Sequence, residues 1–488
     1  MNLKFRYLNL LSLCFVVCIT QAGVRPNVLM IISDDLNTDL GSYGHKLVKT
    51  PHIDALAKTG MQFNAAYAQY PLCGPSRASF MTSSYPEDTG FTTNQHHIRE
   101  EMPDVVTLPQ ALMREGYHTA RVGKVYHYGV PKMIGTNGID DAASWNERYN
   151  PSGIDHLPKI EASIIQIGQK HYKGKPLNMG ASLNWLSLKS DDSEHTDYKV
   201  ASRAINIMSE NNPKKTGKPF FLAVGFFRPH VPFIAPTKYF DMYPPEQIEL
   251  VQTRDDDRDD IPVHSLPDKP YQLEMSDKTK RKVMQGYYAS ISFMDAQVGR
   301  VIAGLKALNL EQDTIVIFMS DHGYQMGAHD LWMKYDLFEG SSHSPLIISV
   351  PGSKTKGQQS NSLVEYVDLY PTITALTGVP TPDAVMGKSL APILKEASSK
   401  IRQSALTQST SRAFVMHSGV GAEKNIDGFS LRTDRYRYTV WQEGEKGIEL
   451  YDYQSDPGEF TNLAGKIEYA EIELTMKNML TQRRTYTK

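Results

Sequence analysis

A chain of 488 residues with 40% hydrophobic and 22% charged content is neither disordered nor fibrous, and it is long enough for one large domain and a smaller one. Its formal net charge of −2 excludes a global field that would recruit nucleic acid or an anionic membrane surface. An anionic ligand would have to be held by local groups in a pocket.

The first 22 residues carry Lys4 and Arg6, an apolar run from Leu8 to Ile19, and Thr20-Gln21-Ala22 before Gly23. They read as a secretory signal cleaved near Ala22, so export to the periplasm or beyond the cell is expected, without stable membrane insertion, because the run is short for a bilayer span. A lipoprotein site at Cys18 would need small residues where Phe15-Val16-Val17 stand. Cleavage removes Cys14 and Cys18 and leaves Cys73 as the one cysteine of the mature chain. That excludes an internal disulfide and leaves an inert thiol, an intermolecular link or a reactive group.

Asn27 to Ser33 is a continuous apolar run, the pattern of a parallel strand covered on both faces. It stops at Asp34-Asp35, and open α/β sheets place ligands at the carboxyl ends of strands. Thr50 to Ala57 reads as a helix closed by Gly60. In Leu72-Cys73-Gly74-Pro75-Ser76-Arg77, Pro75 favours a helix start, with Ser76 to Tyr85 continuing the helix. Cys73 then sits at an N-terminus that attracts an anion. A helix from Leu108 to Glu115 and a strand from Thr119 to Val122 lead to Gly123-Lys124-Val125-Tyr126-His127. From about Val130 to Ser193 the composition is irregular and predicts a surface insertion that shapes a pocket rim. Tyr198 to Met208 is helical, and a third strand, Pro219 to Val224, delivers Arg228-Pro229-His230.

The acidic run Arg254 to Asp260 lacks the Gly and Glu spacing of an EF-hand and reads as a solvated loop. Lys278 to Leu308 is a long helix whose stripe of Tyr287, Ile291, Met294 and Val298 is explained by core packing. Thr314 to Ser320 repeats the layout of the first strand and stops at Asp321-His322-Gly323. If the two strands are neighbours, Asp34, Asp35, Asp321 and His322 converge. A strand from Pro345 to Val350 and a helix from Tyr366 to Leu376 follow. Near residue 398 the alternation ends, and short turn-separated strands with a helix from about Tyr469 to Leu480 predict a small antiparallel sheet backed by a helix. The expected layout is a signal peptide over 1–22, an α/β catalytic domain over 23–398 and an α+β subdomain over 399–488.

Three carboxylates with at most one imidazole favour Ca²⁺, then Mg²⁺, over zinc. Beside them stand the helix start at Cys73, the cations Arg77, Lys124 and Lys334, and the imidazoles His127 and His230. So much positive charge at one point implies a tetrahedral oxyanion. Composition and spacing thus reach a metal-assisted hydrolase of an anionic ester and do not separate sulfate from phosphate.

Cys73-Gly74-Pro75-Ser76-Arg77-Ala78-Ser79-Phe80-Met81-Thr82-Ser83 resembles the signature of the sulfatase family, C-x-P-S-R followed by an apolar residue and Thr. Arg25 to Asp35, Thr50 to Asp54, Gly123 to His127, Asp321 to Gly323, and Glu449 to Asp452 with Asp456-Pro457, extend the resemblance over nearly the whole mature chain. Gly225 to Phe233, Ser292 to Arg300 and His329 to Tyr335 are most similar to the iduronate-2-sulfatase branch, as is His322 in place of Asn. Arg228 stands where Lys is expected. The resemblance implies an alkaline-phosphatase-like fold, a large mixed, mostly parallel sheet sandwiched by helices. It implies that Asp34, Asp35, Asp321, His322 and a modified Cys73 hold the metal. It further implies that Cys73 is oxidised to Cα-formylglycine (3-oxoalanine) before export, by a formylglycine-generating enzyme or an anaerobic maturase. In the implied mechanism a diol oxygen of the hydrated aldehyde attacks sulfur, with Arg77 and the metal stabilising its anionic form. Metal, Lys124 and Lys334 hold the sulfate, His230 protonates the leaving sugar oxygen, and His127 removes a proton from the second hydroxyl to expel sulfate. The implied substrate is a sulfated polysaccharide or oligosaccharide, with a 2-O-sulfated uronate or similar sugar. A phosphonate or phosphodiester hydrolase with the same nucleophile, and a non-catalytic glycan-binding homologue, stand as alternatives.

Overall fold

The computed structural model describes residues 25–167, 179–267, 269–411 and 425–486. The expected signal segment, with Cys14 and Cys18, lies outside the described residues.

Asn27–Asp34 forms β1, buried along its whole length. Val28, Met30 and Ile32 enter one apolar core and Leu29 and Ile31 the other, so the strand must be apolar at every position. In chain order there follow α1 (Pro51–Thr59), β2 (Met61–Phe63), α2 (Cys73–Thr82), α3 (Leu108–Arg114), β3 (His118–Gly123) and β4 (Glu147–Tyr149). Then come α4 (Thr196–Glu210), β5 (Phe220–Pro229), α5 (Asp277–Ala307), β6 (Thr314–Ser320), β7 (Leu346–Ser349), β8 (Gln359–Ser360) and α6 (Leu369–Thr377). The eight strands form one sheet in the order β8-β2-β7-β6-β1-β5-β3-β4. β1 pairs in parallel with β6 and β5, β5 with β3, β3 with β4, and β2 with β8; β7 runs antiparallel to both of its neighbours. Helices α1, α4 and α5 pack on one face and α2, α3 and α6 on the other. The expected α/β sandwich, mixed and mostly parallel, is what forms.

Beyond it, β9 (Ala405–Thr410), β10 (Asp427–Arg432), β11 (Tyr436–Trp441) and β12 (Gly447–Asp452) make an antiparallel sheet in chain order, and α7 (Ala470–Tyr486) follows. Leu406, Leu431, Tyr438 and Leu450 pack with Met476 and Leu480 of α7 and with Tyr85 and Val367 of the larger body.

Three local expectations are corrected. Helix α2 starts at Cys73, two residues ahead of Pro75, because the Ser76 N–H already closes a turn on the Leu72 carbonyl at 3.0 Å, and it stops at Thr82, where Ser83 turns to φ 56°. The stretch from Val130 to Ser193, described here up to 167 and from 179, is not merely surface. It supplies the edge strand β4, and its Ile165–Gln166 and Asn184–Leu188 form a second small sheet with Phe233–Pro236. The acidic run is not wholly solvated, since Asp257 is 1% exposed and its carboxylate faces His329 Nδ1 at 3.1 Å. No helix among the described residues is long and apolar enough to cross a membrane.

Candidate active site

The register of β1 against β6 pairs Ser33 with Ser320, so the acidic residues after each strand emerge side by side. The Asp35 backbone N–H donates to Asp321 Oδ1 at 3.1 Å, and Ser320 Oγ accepts from the Leu36 N–H at 2.9 Å. Asp35 adopts φ 64°, a left-handed conformation uncommon outside glycine, which turns the chain sharply at the strand end. The Tyr287 hydroxyl on α5 secures that turn, donating to the Asp35 carbonyl at 2.8 Å and accepting from the Asn37 N–H at 3.0 Å. Tyr287 therefore does more than fill a core stripe. A tyrosine at a fully buried position needs a hydroxyl partner, and that was the available signal.

Helix α2 enters from the other face, all of its residues buried. The Arg77 guanidinium joins the two acidic ends, with Nη2 on Asp34 Oδ1 at 3.0 Å and Nε on Asp321 Oδ2 at 3.1 Å. Its Nη1 donates to the carbonyls of Lys124 at 2.6 Å and Val125 at 3.0 Å, and Ser76 Oγ donates to the Asp321 carbonyl. Lys124, just past β3, places Nζ 2.5 Å from Asp34 Oδ2. Lys334 places Nζ 2.5 Å from Asp35 Oδ1 and 3.1 Å from Cys73 Sγ. Cys73 Sγ is also 3.8 Å from Asp35 Oδ1 and 3.9 Å from Lys124 Nζ. At the start of this helix the Gly74 N–H donates to Asn94 Oδ1 at 2.8 Å.

One ligand atom from each of Asp35, Cys73, Asp321 and His322 falls within 4.8 Å of the others. His322 Nδ1 lies 2.7 Å from the Gly323 carbonyl, which can only accept, so Nδ1 carries the proton and Nε2 keeps its lone pair. That Nε2 is 3.4 Å from Asp35 Oδ1 and 3.5 Å from Asp321 Oδ2. His322 Nε2 and Asp35 Oδ2 are buried without a hydrogen-bond partner. Orphaned acceptors in an oxygen-rich set fit a hard divalent cation. Asp34, engaged by Arg77 and Lys124, is not part of that tight group.

His230, after β5, donates through Nδ1 to the Val231 carbonyl at 2.6 Å and turns Nε2 to 3.7 Å from Asp35 Oδ2. His127, half-buried, lines a small cleft with Gly74 and Tyr126, and its Nδ1 has no partner. Asp34, Asp35, Cys73, Arg77, Lys124, His230, Asp321 and His322 therefore gather at the ends of β1, β3, β5 and β6 and the start of α2, Lys334 reaches them from beyond the short strand Trp332–Met333, and His127 lies in the adjoining cleft.

Burial pushes the Cys73 thiol well above its usual pKa, more than Lys124 and Lys334 can lower it. Burial, aided by Lys124, holds both His127 and His230 well below the ordinary histidine value. Burial alone would raise Asp34, but Lys124 reverses the sign, whereas Asp35 stays raised despite Lys334. Asp34, Asp35 and Asp321 balance Arg77, Lys124 and Lys334 in formal charge, so a divalent cation would leave the pocket positive and receptive to an anion.

A mixed α/β sheet presenting a carboxylate-rich group that could hold a metal, with buried cations at its strand ends, defines a hydrolase of the alkaline-phosphatase-like fold. The fold superposes on the crystal structure of the phosphonate monoester hydrolase of Agrobacterium radiobacter with a TM-score of 0.77 at 24% identity, covering 95% of this chain and 96% of that one. The family profile described as Sulfatase matches residues 26–379, and one described as N-sulphoglucosamine sulphohydrolase, C-terminal, matches residues 327–486. A sulfatase of Formosa agariphila is 31% identical over 98% of this chain and 92% of its own length. The iduronate 2-sulfatase of Homo sapiens is 32% identical over 85% of this chain and 84% of its own. The chain belongs to the sulfatase family, and its activity is the hydrolysis of sulfuric esters.

Proposed function

We propose that this sulfatase is exported, to the periplasm or beyond, and desulfates a polysaccharide or oligosaccharide carrying a 2-O-sulfated uronate or similar sugar. We also propose that Cys73 enters the reaction as Cα-formylglycine, made before export by a formylglycine-generating enzyme or an anaerobic maturase. The observation that carries the reading is the setting of residue 73, between Lys334 Nζ at 3.1 Å and Asp35 Oδ1 at 3.8 Å, in a site that keeps a thiol protonated. A protonated thiol is a poor nucleophile, whereas a hydrated aldehyde there offers two hydroxyls beside two lysines. Similarity to iduronate 2-sulfatase supports the choice of sugar.

Asp34, Asp35, Asp321, His322 and the oxygen borne by residue 73 would hold a divalent cation, calcium before magnesium. Such an ion supplies Lewis-acid stabilisation of negative charge. Lys124 and Lys334 hold the sulfate oxygens. Arg77, with every donor group engaged, fixes Asp34 and Asp321 and keeps a positive charge beneath the nucleophile. His230 has its Nδ1–H committed to Val231, so Nε2 is the atom that gives a proton to the departing sugar oxygen. The negative charge of a bound ester draws that proton onto an imidazole that is otherwise neutral. His127, neutral in the free site, accepts the proton of the second hydroxyl as sulfate leaves and the carbonyl returns.

The test is sulfate release by purified, formylglycine-bearing protein from a panel of sulfated oligosaccharides, with an aryl phosphodiester alongside. Release from a uronate-containing member is expected. No release from any of them overturns the reading, and faster cleavage of the phosphodiester shifts it to a phosphonate or phosphodiester hydrolase.

A further inference from the structure

The loop that carries His230 takes its shape from one buried ion pair. Arg228 is 1% exposed and Asp155 2%. Arg228 Nη2 donates to Asp155 Oδ2 at 2.8 Å, while Nη1 donates to the carbonyls of His230 at 3.1 Å and Pro232 at 2.7 Å. Those two carbonyls flank the peptide of Val231, whose own carbonyl receives His230 Nδ1–H at 2.6 Å. The direction in which His230 Nε2 points is thus set by a peptide clamped on both sides by a single guanidinium.

The clamp is anchored in turn. Asp155 Oδ1 accepts from the Thr196 N–H at 2.9 Å and its hydroxyl at 2.6 Å, at the first residue of α4. A Cβ on Gly153 would come within 2.3 Å of the Thr196 backbone nitrogen, so the glycine permits this close approach of the 153–156 segment to α4. The backbone of Arg228 is held independently, its N–H by Asp197 Oδ2 at 3.0 Å and its carbonyl by Ser33 Oγ at 2.9 Å. With the main chain already fixed, the side chain is free to act on residues 230 to 232. A buried ion pair is rarely worth more to stability than apolar residues of equal size, and the geometry it fixes is its better-attested use.

We propose that Arg228 and Asp155 are a positioning pair for the proton donor His230. The pair acts on esters whose leaving group needs a proton and has little influence on those that do not. The inference rests on the reading of His230 as the donor to the leaving oxygen.

The experiment compares kcat and KM on 4-nitrophenyl sulfate, whose phenolate departs without help, with those on phenyl sulfate and the best sulfated oligosaccharide of the panel. His230→Gln is the reference and is expected to lose about 100-fold or more in kcat on the poor leaving groups and far less on the nitrophenyl ester. Asp155→Asn and Arg228→Met are expected to reproduce that pattern at about 10- to 100-fold, with KM little changed, and Arg228→Lys to recover part of the loss. The double variant should be no slower than the worse single one. If His230→Gln slows all esters alike, the donor reading itself fails. If it is selective while Asp155→Asn and Arg228→Met slow all esters alike, or alter only Tm, the positioning pair is overturned. Should Arg228→Met fail to fold, Thr196→Val, which removes one of the bonds on Asp155, and Arg228→Lys carry the same comparison. Their crystal structures add a readout independent of turnover. Rotation of the His230 ring off the Val231 carbonyl is expected, and an unmoved ring counts against the proposal.

Discussion

Gly225→Ala should impair the enzyme by a traceable route. A Cβ at Gly225 would stand 2.0 Å from the Lys124 carbonyl oxygen and 2.1 Å from its carbon, where real Cβ contacts essentially never fall below 3.0 Å. Both atoms are backbone, so the end of β3 must retreat by about 1 Å, and the guanidinium of Arg77, bonded to that same carbonyl at 2.6 Å, is disturbed with it. Lys124 Nζ sits 2.5 Å from Asp34 Oδ2; at an effective dielectric of about 20, withdrawal to about 3.5 Å removes about 2 kcal/mol of attraction. A sulfate oxygen held by the same ammonium loses a similar amount, so kcat/KM on 4-nitrophenyl sulfate should fall about 30-fold. The overpacking should also lower Tm, by about 1–3 kcal/mol of stability. Gly60→Ala is the control, because its Cβ would meet the Ile348 carbonyl oxygen at 2.9 Å on the far side of the sheet. It should lower Tm and leave turnover per folded molecule unchanged. A folded Gly225→Ala enzyme with wild-type kcat/KM would refute the claim that the β3–β5 approach sets the position of Lys124.

Cys73→Ser should abolish turnover with little change in Tm, and mass spectrometry of the wild-type peptide should show an aldehyde or its hydrate; an active protein with an intact thiol would sink the formylglycine assignment. Exhaustive chelation should remove activity and lower Tm, with Ca²⁺ restoring both better than Mg²⁺; full activity in metal-free protein would exclude the metal role. Burial opposes a charge on His329, but the hydrogen bond to Asp257 outweighs it and holds the histidine above its ordinary 6.5. The stabilisation is therefore complete below that unfolded value and is lost as pH rises through the higher folded one. Tm measured from about pH 6 to about pH 9 should decline more steeply in the wild type than in Asp257→Asn, and parallel curves would count against the pair.

Much of this architecture is legible in the residues themselves. Asn27 to Ser33 and Thr314 to Ser320 advertise strands buried on both faces, and the acids that close them mark where a ligand must sit. What stayed hidden had no periodicity to read. β2 and β8 are three and two residues long, too short to show alternation. Asp155 lies in a Gly- and Asn-rich stretch, and only the fold reveals that it meets Arg228. Asp257 sits among acids whose plain reading is solvation, and nothing local announces that His329 will bury it. The partners in both pairs are more than 70 residues apart, and the contacts are set by topology rather than by any short-range pattern.

The placement of β1 at the middle of the sheet has a consequence in time. Its partner across the register, Thr314, lies 287 residues further along the chain, so at about 5–20 residues synthesised per second β1 waits about 15–60 s for β6 to exist. Helix α2 packs against that unfinished sheet and cannot be sealed before it. Cys73, fully buried in the finished fold, is thus open to the active site of a modifying enzyme only in the nascent or otherwise unfolded chain. Any enzyme that oxidises it works against the folding clock, and a variant that folds sooner would leave more of its thiol untouched.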